Sequence, residues 1–309
     1  MACVSGSAVQ LATKAGTGAV NFANDSGGTR KLWEIESESL SKRGTQIDLA
    51  GIRGTRTRRV ESISEGPYSV AGSIVLKASP AVLDYFLPFM LGGAEVVETN
   101  IFPVAETLPD FSVLIDRVAT MATRGTFEYS DLKVGKWTLR GSKSQAVRLE
   151  LQLMGKTEIA DSEAFPSLSL GTGTAERPYV HEQCSFIYNA VNVPFSSFEI
   201  SCDNVLEERR ENTLTAEDIC PTDRIIMVRL DTPWQNITAP LYDIAPAAGS
   251  FIMSAESNDL SCTIDFGRLV QPTDTPNIQN RGRIPWNLQL EARSNGATPD
   301  ILVTNDPED

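Results

Sequence analysis

From Gln145 to Thr157 the chain alternates: Val147, Leu149, Leu151 and Leu153 fall on one side of an extended strand, Arg148, Glu150 and Gln152 on the other. A period of two with one apolar side predicts a half-buried β-strand. Residues 283–294 repeat the pattern, with Trp286, Leu288 and Leu290 set against Asn287, Gln289 and Glu291. Further strands are predicted at 73–78, 111–118, 124–132, 136–141, 249–257 and 260–270. "RIIMVRLDTP" (224–233) reads as a strong strand and "DILVTN" (300–305) as a final edge strand.

Between 79 and 93 the period changes. Val82, Leu83, Phe86, Leu87 and Met90 recur at spacings of three and four, which predicts a helix. Ser79 is placed to cap it, Pro80 fits its first turn, and Gly92-Gly93 stops it. The corresponding place in the second half, "WQNITAPLYDIA" (234–245), is broken by Pro240 and predicts only a poor, short helix.

The elements come in the same order twice. "LWEIESESLSKR" (32–43) is echoed by "SFEISCDNVLEERR" (197–210), with Trp33-Glu34-Ile35 matched by Phe198-Glu199-Ile200. A strand ending in Ser79-Pro80 is echoed by one ending in Thr232-Pro233, and the two alternating strands close the halves. The shared order predicts an internal duplication whose period is far longer than a solenoid repeat. The expected layout is an N-terminal arm (1–29), a first unit (30–160), a linker (161–182) and a second unit (183–309). The expected fold class is mainly β: two sandwiches or open barrels, each flanked by a short helix.

Composition narrows the function. The 309 residues suffice for two domains, and 41% hydrophobic with 22% charged residues is ordinary for a soluble globular chain. The most apolar stretch, Pro80 to Gly93, is too short for a membrane span and carries Asp84 and Pro88. The first residues, "MACVSGSAVQLATKAG", lack the basic start and apolar core of a signal peptide, so "NIT" at Asn236 is not expected to be glycosylated. A net charge of −13 argues against a general nucleic-acid binder.

Candidate chemistry is sparse. Cys3, Cys184, Cys202, Cys220 and Cys262 are widely spaced, and His181 is the single histidine. Reduced cysteines are expected, and neither a zinc site nor a nucleophile–base pair is. His181 itself is expected to be solvated in the linker. "AGTGAV" (15–20) and "GTGTAERP" (171–178) lack the remaining residues of a phosphate loop, so no cofactor is expected. Glu34/Glu36/Glu38, Asp203/Glu207/Glu208 and Glu217/Asp218 are carboxylate clusters that read as solvated faces, although a glycosidase pair is the chemical alternative. "RGTRTRR" places Arg53, Arg56, Arg58 and Arg59 in a basic loop of an acidic chain. It has no interleaved aromatics for nucleic-acid stacking, and is expected either to be solvated or to meet the acidic surface of an identical neighbour.

The order of a charged strand, a long connection, "GPYSVAGSIVLKAS", a helix ending "LGG" and strands closing on "VRLELQLMGKT" resembles the tail tube proteins of long-tailed bacteriophages. The second half is similar to them in "SSFEISCDNVLEERR", "DRIIMVRLDTP" and "IPWNLQLEARS", and the resemblance covers roughly 30–295. It implies a structural virion protein with no chemical activity, made in the host cytoplasm and resident in the tail. Strands of neighbouring copies would join into a β-barrel around a lumen, and the rings would stack through long loops. Most members carry one tube domain and form hexameric rings. Some carry two and form trimeric rings of pseudo-sixfold symmetry, which the apparent duplication favours here. A tape measure protein and a tail terminator are the further partners the resemblance implies, with DNA passing through without specific binding. An acidic lumen is expected from the net charge. The loop with Arg53, Arg56, Arg58 and Arg59 is the expected ring-to-ring contact. The alternatives are a carbohydrate-binding or glycoside-cleaving virion protein, and a head or baseplate structural protein.

Overall fold

A computed structural model describes residues 10–18, 22, 30–48, 63–117, 125–160, 177–235, 238, 241–242, 244–254, 260–271 and 284–306. The first half of the chain forms β1 (Gln10–Ala15), β2 (Arg30–Trp33), β3 (Ile35–Glu38), β4 (Ser41–Asp48) and β5 (Ile63–Lys77). Helix α1 (Pro80–Leu91) follows, then β6 (Ile101–Phe102), β7 (Phe111–Asp116), β8 (Thr126–Ser142), β9 (Arg148–Gly155) and β10 (Thr157–Ala160). The second half forms β11 (Cys184–Tyr188), β12 (Val191–Asn192), β13 (Ser197–Asp203), β14 (Leu206–Arg209) and β15 (Asp218–Pro221). It ends with β16 (Ile225–Pro233), β17 (Ala247–Ser254), β18 (Ser261–Val270), β19 (Pro285–Arg293) and β20 (Ile301–Asp306). The fold is mainly β, as the alternation predicts.

Each half turns from one sheet layer to the other along its own strands. β2 pairs with β1, and after Glu34 the same run continues as β3 against β5. β8 does likewise: its first part pairs with β7, its second with β9, and the register shifts between Val134 and Lys136. A bulge of this kind bends a strand around a corner. The two stretches expected at 124–132 and 136–141 are therefore one strand, with Gly135 at its bend rather than at a break.

The pairing order of the first half is β2–β1–β7–β8–β9, then β5–β3, with β10 on β8. In the second half it is β12–β11–β17–β18–β19, then β16–β13, with β20 on β18. Matching strands occupy matching places in chain order, and every pair is antiparallel. The two halves also join edge to edge. Lys136–Ser142 of β8 pair antiparallel with Ser197–Asp203 of β13, so β5, β9, β8, β13, β16 and β19 make one continuous sheet.

The apolar side of this sheet forms the core. Leu149 and Leu151 are fully buried on β9, as are Val228 on β16 and Leu288 and Leu290 on β19. Helix α1 covers the first half. The Ser79 side chain accepts from the Val82 amide, and Gly92, at φ 91°, ends the helix with its N–H donating to the Pro88 carbonyl. A left-handed residue at that place favours glycine. Its Tyr85, Phe86 and Phe89 pack as tilted and edge-on rings with one another and with Trp33 and Phe111 of the strands beneath.

The second half has no α-helix among its described residues, and the poor, short helix expected at 234–245 lies partly outside them. Instead its side chains reach α1. Asn204 Nδ2 donates to the Met90 carbonyl at 3.2 Å and the Val134 carbonyl at 3.0 Å, and Asn305 Nδ2 donates to the Pro80 carbonyl at 3.1 Å. One helix is thus held at both ends by the other half of the chain.

Four further readings change. Gln10–Ala15, inside the stretch read as an arm, is an interior strand between β2 and β7, with Leu11, Ala12 and Thr13 at 0% exposure. Residues of the expected linker from 177 onward are tied in: Tyr179 N donates to Ala78 O, and Val147 N to Tyr179 O. His181 is buried rather than solvated, edge-on to Phe195 and stacked near Phe198. Finally, "DILVTN" is not an edge: β20 lies between β18 and the short β6.

Candidate functional site

Three kinds of surface distinguish the molecule: two unpaired sheet margins, a protruding ribbon, and the open face of the continuous sheet.

The margins follow from the pairing. Among the described residues, β3 pairs with β5 alone. At the other end, β16 pairs along β19 from Pro285 to Ala292, while β18 reaches β19 only through Arg268–Val270 opposite Glu291–Arg293. Residues 285–290 therefore have no second strand partner among the described residues. An open row of backbone donors and acceptors is a template for pairing with another chain. The β3 margin is braced from behind. Arg117 makes a bidentate pair with Glu38, at 2.9 Å to each carboxylate oxygen, and donates to the Leu40 carbonyl at 2.7 Å. Tyr129 Oη donates to the same carbonyl at 3.0 Å.

The ribbon is the far part of β4 with the start of β5. Asp48 lies opposite Ile63, and Ile47, 46% exposed, is next to it. From Lys42 to Asp48 every residue is exposed, so the ribbon stands clear of the core. Its base is buttressed by the second half. Tyr68 N donates to Leu214 O at 2.9 Å, Arg210 donates to Tyr68 O at 2.8 Å, and the Lys42 ammonium sits 3.9 Å over the Tyr68 ring. The ribbon leads into residues 49–62, so Arg53, Arg56, Arg58 and Arg59 lie outside the described residues.

The open face carries the polar side of the alternation. Arg140 pairs with Glu150 at 3.3 Å, Arg229 with Glu199 at 3.0 Å, and Arg148 with Glu36 at 2.6 Å. The sequence identified these carboxylates as strand-borne, but not their partners, which are set by the register between distant strands.

The clusters weighed for chemistry do not converge. Glu36 and Glu38 face different arginines, Glu208 pairs with Arg210, and Asp203 accepts from the Val205 amide. Asp218 accepts from its neighbour Ile219 and from the Cys220 thiol, and Glu217 donates its amide to Arg209 O. The four described cysteines are free thiols, and burial pushes those of Cys184 and Cys202 up to about 12. Burial also lowers the His181 pKa, with Lys143 adding to the effect and Glu182 opposing it. In the glycine turn at 15–18, Gly18 N donates to Asp131 Oδ1 at 2.6 Å, an internal tie rather than a ligand cradle. Among the described residues no group of three or more His, Cys, Asp or Glu side chains is placed to hold a metal, and no helix is long and apolar enough to cross a membrane.

Among curated proteins, none matches the chain. A family model described as phage tail tube protein matches residues 5–292, which takes in both halves and the seam between them. The chain therefore belongs to the phage tail tube protein family, as a structural β-protein of the virion tail.

Proposed function

We propose that this chain is a tail tube subunit that closes into rings of three copies, stacked into the conduit through which DNA is ejected. The observation that carries this reading is the β8–β13 seam together with the shared pairing order. By that order, the two halves read as copies of one unit, the first running from β1 to β10 and the second from β11 to β20, so the first copy takes in β1 from the expected arm as well as 30–160. Within the chain, β8 of the first unit pairs with β13 of the second. The counterpart of β8 is β18, and the counterpart of β13 is β3. Among the described residues β3 keeps one side free, and the short reach of β18 along β19 leaves residues 285–290 free at the other margin, so the second unit of one copy meets the first unit of the next in the manner already present inside the chain.

Ring closure removes both edges at once, which is how closed β-structures suppress open-ended pairing. Three copies supply six units and pseudo-sixfold symmetry. The open face of the sheet then lines the lumen, and the ribbon leading to Arg53, Arg56, Arg58 and Arg59 projects toward the adjacent ring. The protein acts without chemistry or cofactor, assembles in the host cytoplasm, and meets a tape measure protein and a tail terminator as its other partners. Native mass spectrometry of purified protein tests the stoichiometry. A three-chain species and its multiples are expected, and a species of six chains with none of three overturns the trimer.

A further inference from the structure

The open face does not have the acidic character that a net charge of −13 suggests. One row across the strands reads Lys77, Arg148, Arg140, Glu199, Arg229. Lys77 is directly opposite Arg148, and Arg148 directly opposite Arg140, so three cations stand side by side on neighbouring strands. Like charges in directly opposed positions destabilise a sheet. The row is kept tolerable by carboxylates: Glu36 holds Arg148, Glu150 holds Arg140, and Glu199 holds Arg229. The three arginine side chains are 40–49% exposed, and Arg140, Arg148 and Arg229 border an open groove of about 320 Å³ with Ser142 and Asn287.

We infer that this row is a latent polyanion-binding band whose three arginines are each compensated by a carboxylate. Each arginine presents its charge already compensated within a few ångströms. At about 0.1 M salt, beyond a screening distance of about 10 Å, such pairs neither attract nor repel a phosphate backbone. Under the tube reading, on which the role in transport rests, the band repeats around the ring. A DNA backbone then meets a wall with little net pull, and the carboxylates prevent the arginines from becoming sticking points. The binding property itself is independent of ring formation.

The test removes the compensation. A Glu36→Gln, Glu150→Gln, Glu199→Gln variant and the unmodified protein are titrated against a short fluorescent DNA strand at low salt, read by anisotropy. The unmodified protein is expected to show no binding. The variant is expected to bind at least about tenfold tighter, with log affinity falling linearly with log salt as counterions are released. Adding Arg140→Ser, Arg148→Ser and Arg229→Ser to it should abolish the gain. A variant that binds no tighter than the unmodified protein, or a gain that survives loss of the three arginines, overturns the inference. If the triple variant does not fold, Glu150→Gln alone applies the same criterion to Arg140. The same preparations are weighed by native mass spectrometry. A gain in binding with no rings in the unmodified protein rejects the tube reading and leaves the band standing, and rings without a gain reject only the band.

Discussion

Leu139 of β8 lies directly opposite Ile200 of β13, with both side chains buried, at the seam where the two halves of the chain become one sheet. The seam is part of the core, not a surface contact. Truncating Ile200 to Ala is expected to cost about 2–5 kcal/mol, and Ile200→Val only about 0.5–1.5 kcal/mol. Urea unfolding checks this: the midpoint should fall in that order in one cooperative transition. An Ile200→Ala protein as stable as the unmodified one would show that the seam does not couple the halves.

Asn204 bridges the end of α1 and the bend of β8 from the second half. Replacing it with Ala leaves the Met90 and Val134 carbonyls without that donor, at an expected cost of about 1–3 kcal/mol. The change should lower the urea midpoint without altering the slope, because the area exposed on unfolding is the same. Ser79→Ala removes only the helix cap and should cost about 1 kcal/mol.

His181 gives the fold a defined acid sensitivity. Burial holds its pKa below the usual value of about 6.5, so the folded state prefers the neutral ring. Above that value the ring is neutral in both states and its packing contributes fully. Below it the unfolded chain takes up the proton first, and stability falls as the pH drops from there to the folded pKa, below which both states are charged. His181→Phe retains an aromatic against Phe195 and Phe198 and removes the titration. The melting temperatures of the two proteins should diverge in favour of the Phe variant below about pH 6.5. Parallel profiles through that range would contradict the assignment.

How much of this was legible in the sequence depends on where the information resides. Strands such as β9 and β19 were readable because alternate leucines bury while charged neighbours remain in solvent, and α1 was readable from Ser79, Pro80 and Gly92. β1 was not, because Ala12 and Thr13 are small and leave no apolar signature although both are fully buried. The stretches 124–132 and 136–141 read as two strands and are one, with a bulge at Gly135. Tyr179 and His181 looked like linker because their partners, Ala78 and Phe198, are remote in sequence. The open face was readable as polar, but its sorting into a row of cations was not, since Arg140 meets Arg148 only through the register of two strands.

The ribbon is expected to govern stacking rather than ring closure. Its exposed Ile47 and Ile63 lead into the arginine loop. Changing Arg53, Arg56, Arg58 and Arg59 to Ser should leave single rings intact and shorten tubes, most strongly at low salt where charge attraction is least screened. Sedimentation at low and high salt checks this. Tubes of unchanged length in both conditions would remove the loop from the contact.

The central claim is that the seam inside one chain is repeated between chains. Class averages of assembled rings by electron microscopy test it most directly. The account predicts a closed ring with a central hole, threefold symmetry and six similar lobes. Rings with sixfold symmetry built from six whole chains, or discrete particles without a hole, would contradict it.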